Sequence, residues 1–222
     1  MNGIKTIYFK LSDSLKKEYA DTYIIKRGET LNYILFADSP GEYNITLDFI
    51  LQGIDSFCYV YILEVGRADF YNSRKGNIPI HKFNLNISSI HKSPETNART
   101  VVRRVMYNNS ESYINGLIRI DRNAQHSFDY FDEKTLLLSD NVISKVVPAL
   151  EILPDDVKAS HNSAMSEIND DEIFYLESRG LDRSIAENLI VKGFLESQLY
   201  PIRENKVYDT IMSDINKRFL CI

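Results

Sequence analysis

Cysteine is nearly missing from this chain: Cys58 and Cys221 are the two found among 222 residues. Two thiols so far apart make neither a disulfide framework nor a zinc finger. Cys58, inside SFCYVYILEV, reads as a small buried hydrophobe. Apolar runs of the roughly 20 residues needed to span a membrane are missing too. The opening MNGIKTIYFKLSDSLKKE has no continuous apolar core and no small-residue cleavage site, so no signal peptide is expected. These shortages together point to a reducing cytoplasm. Positive charge is in deficit, with 26 Lys and Arg against 31 Asp and Glu, a net charge of −5. That balance argues against broad, non-specific binding to nucleic acid or to an anionic membrane. Glycine (9) and proline (6) are scarce, whereas a hairpin-rich sandwich ordinarily wants more glycine in its turns. No phosphate-cradling Gly-rich loop, HExxH, GxSxG or CxxC occurs.

What is present is strand periodicity over roughly residues 1 to 165. In EYNITLDFIL, Tyr43, Ile45, Leu47 and Phe49 share one face, and Asn44, Thr46 and Asp48 the other. In HKFNLNISSI, Phe83, Leu85 and Ile87 alternate with Asn84, Asn86 and Ser88. Both patterns are those of half-buried strands. Further pulses follow at SFCYVYILEV, RTVVRRVMY, YINGLIRID, TLLLS, PALEI and DDVKASH, separated by polar, turn-like segments. A β-sandwich or barrel and a parallel β-helix both fit, and no strict repeat is visible to choose between them.

The texture changes after Asn169. Asn169 with Glu172 fits a capping box, and Ile168 with Ile173 fits the hydrophobic staple around it. DDEIFYLESRG then ends on Gly180, a natural left-handed terminator. Asp182 is positioned to cap a second helix, RSIAENLIVKGFLESQLY, with Ala186, Leu189, Ile190 and Phe194 on one stripe and Pro201 closing it. A third helix, KVYDTIMSDINKRF, carries Val207, Ile211, Ile215 and Phe219 at i+4 spacing. Docking of these stripes onto the β-body is expected ahead of a partner surface.

Candidate chemistry is sparse. Asp155 and Asp156, if adjacent on a strand, point to opposite faces and do not converge on one substrate atom. A solvated turn is the expected reading. The acidic run Asp170, Asp171 and Glu172 complements the positive end of a helix dipole. His81, His91 and His126 stand in polar, turn-like surroundings without ligand spacing. His161 differs: along a straight strand it shares a face with Val157 and Ala159, at the last position before the helices. An imidazole on an apolar face must find a partner or bind something. The pattern leaves open a hydrogen-bonded structural histidine or a ligand.

The run from Thr135 to Phe194 resembles the C-terminal signature of the SufB/SufD family, scaffold proteins of the SUF iron–sulfur cluster assembly system. The resemblance rests on LLLS at Leu136–Ser139, Pro148 with Leu150, Glu151 and Ile152, and DDV at Asp155–Val157. It continues through Ser160–His161, DDE at Asp170–Glu172, IFYL at Ile173–Leu176, SRG at Ser178–Gly180, and Gly193–Phe194. It implies a mainly β fold, a right-handed parallel β-helix over residues 1–168, followed by a small C-terminal α-helical domain over residues 169–222 that binds an ATPase. It also implies a non-enzymatic scaffold, pairing through late β-helix rungs with a SufB-like partner or with itself, its helical domain gripping a SufC-like ABC-type ATPase, with no ATP site of its own. B-type members are similar to one another in a cysteine before the LLLS-like strand and a Glu at the histidine position. Glu133 and His161 stand there in this chain, which therefore resembles the D-type. By this resemblance His161 is a metal ligand to a transient iron–sulfur cluster shared with a partner subunit. Asn162 departs from the family glycine, and Phe131 and Lys134 depart from the Gln and Arg of many D-types. Two other readings are a purely structural β-helix and a β-helix hydrolase acting on polysaccharide.

Overall fold

The computed structural model describes residues 3–11, 16–66, 81–107 and 109–219. Cys221 lies outside the described residues. Among the described residues eleven strands come first: β1 (Ile4–Leu11), β2 (Lys16–Ile25), β3 (Thr30–Ala37), β4 (Gly41–Leu51), β5 (Phe57–Gly66) and β6 (His81–His91). They continue as β7 (Asn97–Met106), β8 (Ser110–Ile120), β9 (Phe128–Leu137), β10 (Ile143–Ile152) and β11 (Lys158–Glu167). Odd-numbered strands form one sheet, in the order β1-β3-β5-β7-β9-β11, and even-numbered strands a second, in the order β10-β8-β6-β4-β2. All pairings are parallel. Strands that alternate between two parallel sheets wind the chain into a β-solenoid of about five turns, followed by three helices. The β-helix expectation is met, and the sandwich alternative falls away.

Alternation builds the core. Along β4 every second residue from Gly41 to Leu51 is buried, so Tyr43, Ile45, Leu47 and Phe49 enter the solenoid while Asn44 and Thr46 face out. Tyr33, Leu35, Val60, Ile62, Phe83, Leu85, Val102, Ile114 and Phe131 complete the interior. The outward polar residues stack as well: the Asn84 amide donates to Asn44 at 2.8 Å and that of Asn115 to Asn86 at 2.8 Å.

The scarcity of glycine is explained at the corners. Gly28, Asp55, Glu95 and His126, each two residues ahead of an odd-numbered strand, have φ of 67°, 56°, 58° and 60°. The solenoid therefore repeats one left-handed corner, and three of the four are held by non-glycine residues. The turns differ in length. Thr30 pairs with Phe57, 27 residues on, but Phe57 pairs with Asn97, 40 on, and Asn97 with Phe128, 31 on. That irregularity hides the repeat in the sequence.

The helices are α1 (Asp170–Ser178), α2 (Arg183–Glu196) and α3 (Lys206–Phe219), with a 3-10 turn over Ser197–Ile202 that contains Pro201. Asn169 caps α1, its side chain accepting from the Asp171 amide at 2.9 Å, one position before the bond a capping box makes. Gly180 takes φ 88°. Asp182 is the N-cap residue of α2 without a side-chain cap bond. The buried stripe runs Ala186, Val191, Leu195, Leu199 and Ile202, so Leu189, expected on it, is exposed instead. The 3-10 turn after Glu196 adds Leu199 and Ile202 to the buried set. Val191, Leu195, Leu199 and Ile202 of that stripe and Ile211, Ile215 and Phe219 of α3 pack on the outer face of the odd-strand sheet, against Ile34, Phe36, Tyr61, Leu63, Val101 and Val105. Tyr8 and Lys10 of β1 clasp Asp214 of α3 at 2.8 and 3.0 Å.

Candidate functional site at the open last turn

β11 is the edge of its sheet and β10 the edge of the other, and most of both strands is exposed. The residues of β10 in register with the buried Ile114, Ile118 and Ile120 of β8 are Val146, Leu150 and Ile152. Among the described residues no further turn covers them, and Leu150, Ile152, Leu153 and Met165 stay substantially exposed. The solenoid thus ends on an open apolar mouth.

His161 sits in that mouth. β11 does not stop at it, as the sequence suggested, but runs six residues farther to Glu167, because Ser163 to Glu167 stay in register with Glu133 to Leu137 of β9. His161 pairs with Phe131, and the two rings stack at a centroid distance of 4.7 Å and an interplanar angle of 12°. Phe131 needs Gly116 on β8 opposite, where a Cβ would approach two ring carbons to 2.8 Å. The imidazole Nε2 is buried with no hydrogen-bond partner among the described residues. Burial lowers the His161 pKa below its ordinary value, against a smaller upward pull from Glu133 and Asp132. A neutral imidazole with a free lone pair is the form that binds a metal.

Beneath this ring lies a polar structure that the sequence reading missed. Inside the solenoid, Ser163 donates to Glu133 Oε2 at 2.7 Å, and Arg104 holds Glu133 Oε1 through Nε at 3.1 Å and Nη2 at 2.9 Å. Arg104 Nη1 reaches Ser112 Oγ at 3.0 Å, Ser112 donates to Glu64 at 2.7 Å, and Glu64 meets His81 Nε2 at 3.0 Å. On the outer face, Asn162 donates to Asp132 Oδ1 at 2.7 Å, and Arg103 bonds the other Asp132 oxygen. Burial pushes the Asp132 carboxyl up, but donors Arg103 and Asn162 outweigh it and hold it below the usual range. The available signal was three dipeptides, Arg103–Arg104, Asp132–Glu133 and Asn162–Ser163, on successive odd-numbered strands.

Two of the other three histidines are not where the sequence placed them. His81 and His91, at the two ends of β6, are fully buried, bonded to Glu64 and to Asp129 at 3.0 Å each. Their polar neighbours in sequence face one way while the rings turn inward. His126 lies on the surface, 2.9 Å from Asp156. Asp155 and Asp156 occupy an exposed bend, as expected of a solvated turn. Cys58 is buried, which pushes its thiol pKa well up and makes it a poor ligand. Among the described residues no three His, Cys, Asp or Glu side chains are placed to hold a metal ion together. His161 is one donor, and the rest of a ligand set would have to come from elsewhere.

Residues 78–194 match the family model of the SUF system FeS cluster assembly SufBD core domain. Iron–sulfur cluster assembly SufBD family proteins of Staphylococcus haemolyticus, Staphylococcus epidermidis and Staphylococcus aureus are each 29% identical to this chain over 107 residues. That match takes in 48% of this chain but 23% of each relative's length. The model match spans more than half of the chain and contains the open last turn and the first helix; the protein belongs to the SufBD family of the SUF iron–sulfur cluster assembly system.

Proposed function

We propose that this chain is a D-type scaffold subunit, not itself an enzyme, that helps hold a nascent iron–sulfur cluster at a dimer interface. The cluster is cargo, shared between His161 and a cysteine of a B-type partner. The observation that carries this reading is the His161 imidazole: its pKa lowered by burial, unpartnered at Nε2 among the described residues, and seated at an end of the solenoid where apolar side chains are exposed next to the edge strands β10 and β11. Cluster iron is held mainly by thiolates, and a neutral imidazole can replace one. A partner edge pairing with β10 or β11 would satisfy their open backbone groups and cover Leu150, Ile152 and Met165. A polysaccharide hydrolase would need carboxylates converging on a surface, whereas Glu64, Asp129 and Glu133 are sealed inside.

Residues 169–222 form the ATPase-binding part in this proposal. Phe174 (71% exposed), Tyr175, Ile185 and Leu189 face solvent on α1 and α2, away from the stripe used for docking. Removing the helices altogether would uncover Ile34, Phe36 and Val101 on the sheet, so substitution of Phe174 and Leu189 is the cleaner test of ATPase capture. The scaffold role itself is tested by iron and sulfide content of the complex co-expressed with a B-type scaffold and its ATPase. His161→Ala should lose most of the cluster; content equal to wild type would refute the ligand role.

A further inference from the structure

We propose that Asn162 and Ser163 are positioning residues for His161, clamping the edge strand β11 on both faces so that the imidazole is presented in one orientation. The inference rests on the ligand reading above and concerns how that ligand is held. A metal-binding histidine is ordinarily oriented by a hydrogen bond from its second ring nitrogen. Among the described residues His161 shows no such bond; it has the flat face of Phe131 at 4.7 Å. A stack of that kind fixes the plane of a ring but not its placement within the plane, so placement must come from the backbone. That backbone belongs to an edge strand paired on one side alone, the sort of segment that opens first.

The two residues after His161 remedy this. Asn162 turns outward and reaches Asp132 at 2.7 Å, and Asp132 is held by Arg103, which also donates to the Val102 carbonyl at 2.9 Å and the Asp132 carbonyl at 3.1 Å. Ser163 turns inward and reaches Glu133 at 2.7 Å, and Glu133 is held by Arg104 and by Thr135. Each face therefore carries the same relay, a guanidinium on β7, a carboxylate on β9 and a short polar donor on β11. The anchors do not move easily, since Arg103 and Arg104 are among the largest fully buried side chains of the protein. Tethers adjacent to the ligand and opposite in direction resist both a slide of the strand and its rotation about its own axis. The glycine of the family pattern at position 162 could not make the outer tether.

The test uses the full chain with Asn162→Gly, Ser163→Ala, the double variant and Ser163→Thr, with Ser160→Ala as a control on an exposed residue of the same strand. Hydrogen exchange of residues 158–167 reads the clamp in the free chain. Each tether is a hydrogen bond to a charged group, so its loss should speed exchange there about tenfold or more, with Ser163→Thr and Ser160→Ala near wild type. Iron retained by the co-expressed complex reads positioning: the double variant should fall toward His161→Ala, and Ser163→Thr should restore it. Unchanged exchange in the double variant overturns the clamp even if His161 is a ligand. Faster exchange with full iron content, where His161→Ala loses it, overturns positioning. Full iron in His161→Ala overturns the ligand reading and, with it, this role.

Discussion

Arg104 offers the sharpest test of how the interior is held together. Its guanidinium is wholly buried and divides its donors between Glu133 and Ser112, so Arg104→Met keeps most of the side-chain volume and removes the charge. Glu133, also wholly buried, is then left with hydroxyl donors from Thr135 and Ser163. Breaking a buried pair by removing one partner costs about 3–5 kcal/mol, because the remaining charge is uncompensated. Replacing both partners by apolar groups of similar volume is often close to neutral. Arg104→Met should therefore lose about 3–5 kcal/mol in urea unfolding followed by far-UV circular dichroism, out of the roughly 5–15 kcal/mol usual for a folded protein. Arg104→Met/Glu133→Met should recover much of that loss. A single variant within about 1 kcal/mol of wild type, or a double variant as unstable as the sum of the singles, would refute the reasoning.

Three further outcomes follow from the same structure. Gly116→Ala drives a methyl against the Phe131 ring; overpacking of this kind costs about 1–3 kcal/mol, and the ring-current shift of the His161 protons should change with it. Asn169→Ala should cost about 1 kcal/mol by removing the α1 cap, read as faster hydrogen exchange over residues 170–178. The pH dependence has two parts. Asp132 and Asp214 titrate below their ordinary value when folded, so their contribution is complete above about pH 3.9 and is lost as pH falls through the lower, folded values. The folded His161 pKa is also lowered, so the unfolded chain takes up that proton first and stability declines as pH drops below about 6.5. His161→Phe should lack this second decline in unfolding measured between pH 7.5 and 5.

Much of the architecture is written in the alternation of strands such as EYNITLDFIL, because burial of one face imposes a period of two whatever the topology. Parallel winding is not, because the residue count per turn changes from 27 to 40 and back to 31. His161 was visible through its motif, but its surroundings were not. Phe131, Gly116, Glu133 and Ser163 come from three strands, and each alone reads as an ordinary core or polar residue. His81 and His91 misled for the opposite reason. Their polar neighbours in sequence say nothing of Glu64 and Asp129, which reach them from other turns of the chain.

The most direct test of the account is whether His161 touches cluster iron. The chain, labelled with 15N at histidine and assembled with an unlabelled B-type partner and ATPase, would be reduced and its paramagnetic cluster probed for nitrogen hyperfine coupling. The account predicts a 15N coupling that persists in His126→Ala and vanishes in His161→Ala. A reduced cluster without that coupling, or one that keeps it after His161→Ala, would contradict it.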